Sequence, residues 1–454
     1  VVNPALINGW LPIAVQVVAA VVLAVAVGWR SRRWRSRWVP LGAAVGVALA
    51  AGAYWFVDYQ ALAEDPAPVV LWLWIGLTGL AVVVAMAGWR GARWWRRSAS
   101  LIAIPLSMLC AALAVDAWTG YLPTPSSAWD RVTGAAMPSQ TDEAGAKDMQ
   151  RRHEKPRRGI LVSVKVGDDG SGFRHRDELV YLPPAWFADP PPQLPAVVMV
   201  GGEFGHPTDW PSTGQAQRTA DDFAAAHGGN APVLLFTDTS GEFSNDTECV
   251  NGVRGNAADH ITKDVVHYAI SHFGVNQDPA HWGIVGWSSG GTCALLTTVM
   301  HPDLFSAFVD IDGQLGPNAG SKNQTIARLF GGDAAAFAAF DPATVMTGHG
   351  PYTGVAGWFA VSAAGPTAYH AAGSDPPSGQ DPARIDAEDH AAVATYLCSL
   401  ASSTGVGCAV VPQDGDHDFG TAAKVFAAAL PWLAGRLGTQ TVPAVPLPGA
   451  PPAS

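Results

Sequence analysis

His281-Trp282-Gly283-Ile284-Val285-Gly286-Trp287-Ser288-Ser289-Gly290-Gly291-Thr292-Cys293-Ala294 is the stretch from which the fold can be read. An apolar run predicts a short buried strand, the glycines a tight turn, and Ala294-Leu295-Leu296 a helix. Inside the turn sits Gly286-x-Ser288-x-Gly290, the pattern of a nucleophile elbow. The chemistry needs these residue types. A serine on a strained strand-to-helix turn projects its Oγ clear of the backbone, and small neighbours let strand and helix close around it. The helix N-terminus then offers backbone N–H groups and a positive dipole end to a developing oxyanion.

Outward from the elbow, strand and helix patterns alternate. Ile160–Val166 and Glu178–Leu182 read as an opening hairpin, followed by a Pro-rich loop over 183–195. Ala196–Val200 reads as a buried strand ending in Gly201-Gly202-Glu203-Phe204-Gly205. A helix near 215–227 leads to the strand Val233–Phe236 and a loop rich in acids, Ser and Asn. A helix near 257–273 then precedes the elbow. Later strands are expected at Ser306–Ile311, Gly357–Ser362 and Cys408–Val411, with a closing helix at about 421–436. Such alternation implies an α/β fold, a mostly parallel sheet with helices on both faces. The catalytic domain is expected over 158–437. A polar connector over 120–157 should tether it, and the Pro/Ala-rich tail 438–454 reads as disordered.

A serine nucleophile needs a base, and the base needs an orienting acid. In this fold type they follow in the order Ser, acid, His. His417, in Gly415-Asp416-His417-Asp418-Phe419, follows the last strand, where the base belongs. His301, His349, His370 and His390 read as solvated. The oxyanion hole should combine the N–H of Ser289 with that of Glu203 after the strand ending at Val200. The acid stays open. After Gly357–Ser362 the chain reads Ala363-Ala364-Gly365-Pro366, without a carboxylate. Asp312, ending the strand beside the elbow strand, is the first candidate and Asp375, in the long loop 365–385, the second. Asp310, Asp386 and Asp389 remain behind them.

The net charge of −11 conceals an asymmetry. Residues 1–119 carry nine arginines, no lysine and four acids, whereas the remainder is strongly acidic, which argues against a nucleic-acid partner. Four apolar stretches, at about 11–29, 40–57, 69–89 and 101–119, meet the roughly 20-residue length of a spanning helix. The arginines cluster at Arg30–Arg37 and Arg90–Arg97, while the middle connection holds Asp58, Glu64 and Asp65. By the positive-inside rule both Arg loops are cytoplasmic, and everything after residue 120 lies outside. The first segment lacks a basic n-region, which disfavours a cleaved signal peptide. Asp116 reads as interfacial. Four of the five cysteines fall in the outer part, an even number in an oxidising setting. Cys398 and Cys408 flank a short helix-to-strand connection and are expected to pair, leaving Cys249 with Cys293.

Taken in order, Val198-Met199-Val200-Gly201-Gly202, Gly286-Trp287-Ser288-Ser289-Gly290-Gly291 and Gly415-Asp416-His417-Asp418-Phe419 resemble the esterase branch of the α/β-hydrolase superfamily. That branch includes feruloyl esterases, S-formylglutathione hydrolase and the antigen 85 mycolyltransferases. Asp310-Ile311-Asp312-Gly313-Gln314-Leu315-Gly316-Pro317 also resembles the strand-end segment of the antigen 85 group. The resemblance covers about 160–437 and departs at Gly365, where an Asp or Glu is expected. With four spans ahead of such a domain, the chain is similar to membrane-bound esterases of high-GC actinobacteria. These readings imply a membrane-anchored, extracytoplasmic serine esterase or acyltransferase acting on a lipid or cell-envelope ester. Aminoacylated phospholipids and mycolate-type esters both fit. No metal or organic cofactor is implied. A hydrolase-fold binding or scaffold protein without catalysis, and a serine peptidase, are the competing classes.

Overall fold

The computed structural model describes residues 5–7, 9–28, 30–60, 67–90, 92–374, 382–387 and 389–451. The chain divides into two units, 1–135 and 136–454.

The first unit is helical: α1 (Trp10–Val27), α2 (Val39–Gln60, led by a π turn over Trp34–Trp38), α3 (Val69–Gly88) and α4 (Trp94–Thr119). All four are long and apolar enough to cross a membrane. α4 begins seven residues before the expected start of its apolar run, taking in Arg96 and Arg97. Helix α2 approaches α3 through small residues. A Cβ on Gly46 would stand 2.2 Å from the Gly76 carbonyl oxygen, a contact in which backbones meet closely without bulky side chains. Arg30 donates to the carbonyls of Ala26 (2.8 Å) and Gly88 (3.1 Å). Its guanidinium thus meets the negative dipole ends of α1 and α3.

The second unit is built on a ten-stranded sheet. Its strands are β1 (Gln140–Asp142), β2 (Ile160–Val164), β3 (Glu178–Leu182), β4 (Ala196–Val200), β5 (Val233–Thr237), β6 (Trp282–Trp287), β7 (Ala307–Ile311), β8 (Ala356–Val361), β9 (Ala368–His370) and β10 (Gly407–Pro412). Their order is β1-β2-β3-β5-β4-β6-β7-β8-β10-β9. The run β5-β4-β6-β7-β8-β10 is parallel, and β3 and β9 flank it antiparallel. The central strands β4, β6, β7 and β8 are buried along their whole length, as strands covered on both faces must be. The chain order reverses across β4 and β6, and the carboxyl ends on either side of such a reversal are where open α/β sheets bind ligands.

Two segments outside the sheet's main run have local structure of their own. The stretch 120–157, expected as a polar connector, holds a helix at Pro125–Thr133, strand β1 and a helix at Glu143–Arg151. Local capping explains them. Thr124 and Ser127 form a reciprocal capping box, and Asp142 accepts from the Gly145 N–H. β1 then extends the sheet beside β2. The tail, expected as disordered, packs back over its described part: Thr441 donates to the His227 carbonyl (2.8 Å), and Leu447 is buried. Proline leaves such a segment little conformational entropy to lose.

Candidate active site

Strand register brings the site together. Val200 pairs with Gly286, Trp287 with Ile311, Ile311 with Ala360, and Val361 with Pro412. The residues following these strand ends therefore gather at one edge of the sheet. From β6 comes Ser288, at φ 58° and ψ −128°, followed at once by the helix α5 (Ser289–Met300). Left-handed backbone at a non-glycine residue is costly and persists where the surroundings enforce it. Here the Ser288 N–H donates to the Ile311 carbonyl at 2.8 Å. The flanking glycines are sterically required. A Cβ on Gly286 would lie 1.7 Å from the Gly290 carbonyl oxygen, and one on Gly290 would lie 2.4 Å from that of Gly201.

His417 arrives from the loop after β10, and its Nε2 lies 3.1 Å from Ser288 Oγ. The ring is held by Trp287 at 5.1 Å and by His390, parallel within 6° at 4.9 Å. Asp312, the residue after β7, places Oδ2 3.4 Å from His417 Nδ1. It too is left-handed, at φ 50°. Ser362 donates its N–H to Asp312 Oδ1 (2.6 Å) and its hydroxyl to Oδ2. Burial alone would raise the Asp312 carboxyl, but His417 and Ser362 outweigh it and hold the group below the ordinary carboxylate range.

Asp310 and Asp389 have other partners. Asp310 is buried under the elbow and accepts from the Gly313 N–H (2.9 Å); burial pushes its carboxyl up to about 8. Asp389 caps the helix His390–Ser403 by accepting from the Ala392 N–H. Asp375 lies outside the described residues.

Ser289 is the first residue of α5, so its N–H has no acceptor within that helix. It lines a small cavity with Gly202, Glu203 and Gly290. The Gly205 N–H donates to the Gly202 carbonyl, tightening the turn that carries Glu203. The far wall is Asp246, Thr247, Glu248 and Cys249. Glu248 and Cys249 both have positive φ, and Cys249 is disulfide-bonded to Cys293 on α5. The second disulfide joins Cys398 to Cys408. The acidic loop is thereby fastened to the elbow helix.

Sequence reasoning missed His390, Ser362 and the acidic wall. A solvated reading of His390 was natural, since nothing near it in sequence marks its stacking on His417. Ser362 offered a faint signal, as the last residue before the expected acid position.

The family described as "Putative esterase" matches residues 120–339. An uncharacterised protein of Corynebacterium glutamicum is 32% identical over 421 residues, covering 89% of this chain and 91% of that protein. Among solved structures, the chain is similar to a ferulic acid esterase (15% identity, 62% of this chain and 99% of that one, TM-score 0.46). It is also similar to an S-formylglutathione hydrolase from Agrobacterium tumefaciens (15%, 62% and 96%, 0.46) and to MPT51 of Mycobacterium tuberculosis (17%, 60% and 99%, 0.37).

Proposed function

We propose that this chain, which belongs to the esterase family of the α/β-hydrolases, is a membrane-anchored serine esterase or acyltransferase working outside the cytoplasmic membrane. The observation that carries the reading is the line Ser288 Oγ, His417 Nε2 (3.1 Å), His417 Nδ1, Asp312 Oδ2 (3.4 Å). Ser288 attacks the ester carbonyl while His417 takes its proton, and Asp312 stabilises the imidazolium. The N–H groups of Ser289 and Glu203 receive the oxyanion. His417 then protonates the departing alkoxide, leaving an acyl-Ser288 that water or an acceptor hydroxyl resolves. Replacing Ser288 with Ala should abolish fluorophosphonate labelling and ester hydrolysis with the fold intact. Labelling at the wild-type level would sink the assignment.

Four apolar helices with Arg-rich connections support the anchor, and two disulfides in the second unit support an outer location. A cytoplasm-only reporter fused after residue 38 should give signal, and one fused after residue 125 should give none. Tethering raises the effective concentration of enzyme at a membrane ester. Of the two ester classes open from sequence, the charge of the side chains near Ser289 supports the aminoacylated lipid. Glu203 and Glu248 lie beside Ser289 together with Asp246, whose carboxylate meets Arg254 at 3.5 Å. Acids outnumber the one arginine there, a setting that suits an acyl group bearing an ammonium better than a long apolar chain. Aminoacyl esters should be cleaved faster than their N-acetylated counterparts by roughly 10-fold or more. Equal rates would remove the preference. The scaffold reading drew on the missing carboxylate near Gly365, and Asp312 beside His417 weighs against it.

A further inference from the structure

Away from the crevice, two histidines and a glutamate converge where β3 begins. His175 lies three residues ahead of Glu178, the first residue of β3, and His260 opens the helical turn His260–Val265. One donor atom from each lies within 4.8 Å of the other two. Glu178 and His260 are buried, and His175 is half-buried at the mouth.

Both imidazoles are oriented. His175 Nδ1 is 2.8 Å from the Arg176 carbonyl oxygen, which can only accept, so that nitrogen carries its hydrogen and Nε2 keeps the lone pair. His260 Nδ1 is 3.1 Å from the Asp264 carboxylate, to which it donates, and the ring is thereby turned so that Nε2 faces Glu178. A ligating imidazole commonly donates its second ring N–H to a carboxylate or a carbonyl. His260 Nε2 lies 3.0 Å from Glu178 Oε1, a spacing that suits two neighbouring ligands each about 2.1 Å from one metal ion.

We propose that His175, Glu178 and His260 form a binding site for a divalent transition metal of the zinc type, with Asp264 and the Arg176 carbonyl orienting the two imidazoles. Two imidazole nitrogens and one carboxylate suit such an ion better than calcium or magnesium, which favour all-oxygen shells. The ion braces the oxyanion turn from a distance. The Asp238 N–H donates to Glu178 Oε1 (2.7 Å), Asp238 receives a bidentate Arg176, and Arg176 Nη2 donates to the Gly205 carbonyl (2.6 Å). The rival account is a metal-free ion triad, Glu178–His260–Asp264, with His175 merely stacked on it at 4.1 Å.

The test uses the full chain in detergent, purified without a histidine tag, stripped with a chelator and titrated with Co²⁺ and Zn²⁺. We expect one equivalent of Co²⁺ bound with visible d–d bands, displaced by Zn²⁺, and a Zn²⁺-dependent rise in the wild-type melting temperature. His175→Ala, at the half-buried ligand, should weaken binding on the order of 100-fold and lose the melting shift. Fluorophosphonate labelling of Ser288 should persist in that variant, showing that it folds. Glu178→Gln should bind as weakly. No stoichiometric uptake by the wild type, or wild-type affinity in both variants, would overturn the site and leave the ion triad.

Discussion

Asp310 and Asp312 belong to one short stretch of chain, yet the deep and outer ends of that strand treat them oppositely. Asp310 is enclosed beneath the elbow helix, and with one backbone donor from Gly313 its carboxyl is pushed up to about 8. Asp312 is just as buried, yet it receives two donors from Ser362 and faces His417, which keep its carboxyl below the ordinary range. Desolvation is similar and the partners differ, so the partners decide which carboxylate can serve a histidine.

The largest test of this contrast is Asp312→Asn. It keeps the size, removes the charge opposite His417 and can hold the imidazole in the wrong tautomer, so turnover should fall by something like 10⁴-fold. Asp375→Asn should leave it unchanged. If the ranking reverses in steady-state assays of the two variants, the acid belongs to the long loop instead.

What the sequence made legible follows from how local each constraint is. The elbow shows because its turn excludes side chains at Gly286 and Gly290 within five residues of chain. The mostly parallel sheet shows because strand and helix patterns alternate along the chain. Asp312 was half legible: a strand-end carboxylate is visible, but its reach to His417, across β8 and β10, is not. Ser362 explains the departure at Gly365 in physical terms. The end of β8 supplies donors to Asp312, the proposed acid just after β7, and only the register between those strands reveals it. His175, Glu178 and His260 were illegible for the same reason, since 82 residues separate the last two. The structured segments of 120–157 and the tail escaped because short capped helices and packed Pro-rich chain carry little periodicity.

An intermediate effect is expected from Ser362→Ala. The variant removes the hydroxyl donor to Asp312 Oδ2 and leaves the Ser362 N–H on Oδ1. One charge-assisted hydrogen bond lost behind the base should lower kcat roughly 10-fold, corresponding to about 1.4 kcal/mol. With one of the two donors gone, the Asp312 pKa should rise, and the acid limb of the kcat profile should move to higher pH if that carboxylate governs it. A fall in kcat with KM unchanged and a displaced limb marks the hydrogen bond as part of Asp312's setting. An unchanged kcat would mean that the backbone donor suffices.

Asp310→Asn should change turnover least, by no more than a few-fold, because Asp310 touches neither His417 nor Ser288 in the described contacts; its signature is in stability. The folded-state carboxyl titrates at about 8 against an ordinary 3.8. Between those values the native state holds a proton that the unfolded chain has released. The contribution of this group to stability is therefore fully present below the unfolded value and is lost as pH rises toward the folded one, at about 1.4 kcal/mol per pH unit. Asparagine cannot ionise and can still accept from the Gly313 N–H, so the variant should lose that slope. Unfolding of the full chain, followed from pH 5 to 8, should show wild type weakening relative to the variant by about 1.4 kcal/mol for each unit. The two stability curves should run closest together at the acid end. Parallel curves would mean that Asp310 is ionised in the folded protein, and that burial, despite its single backbone donor, does not separate it from Asp312.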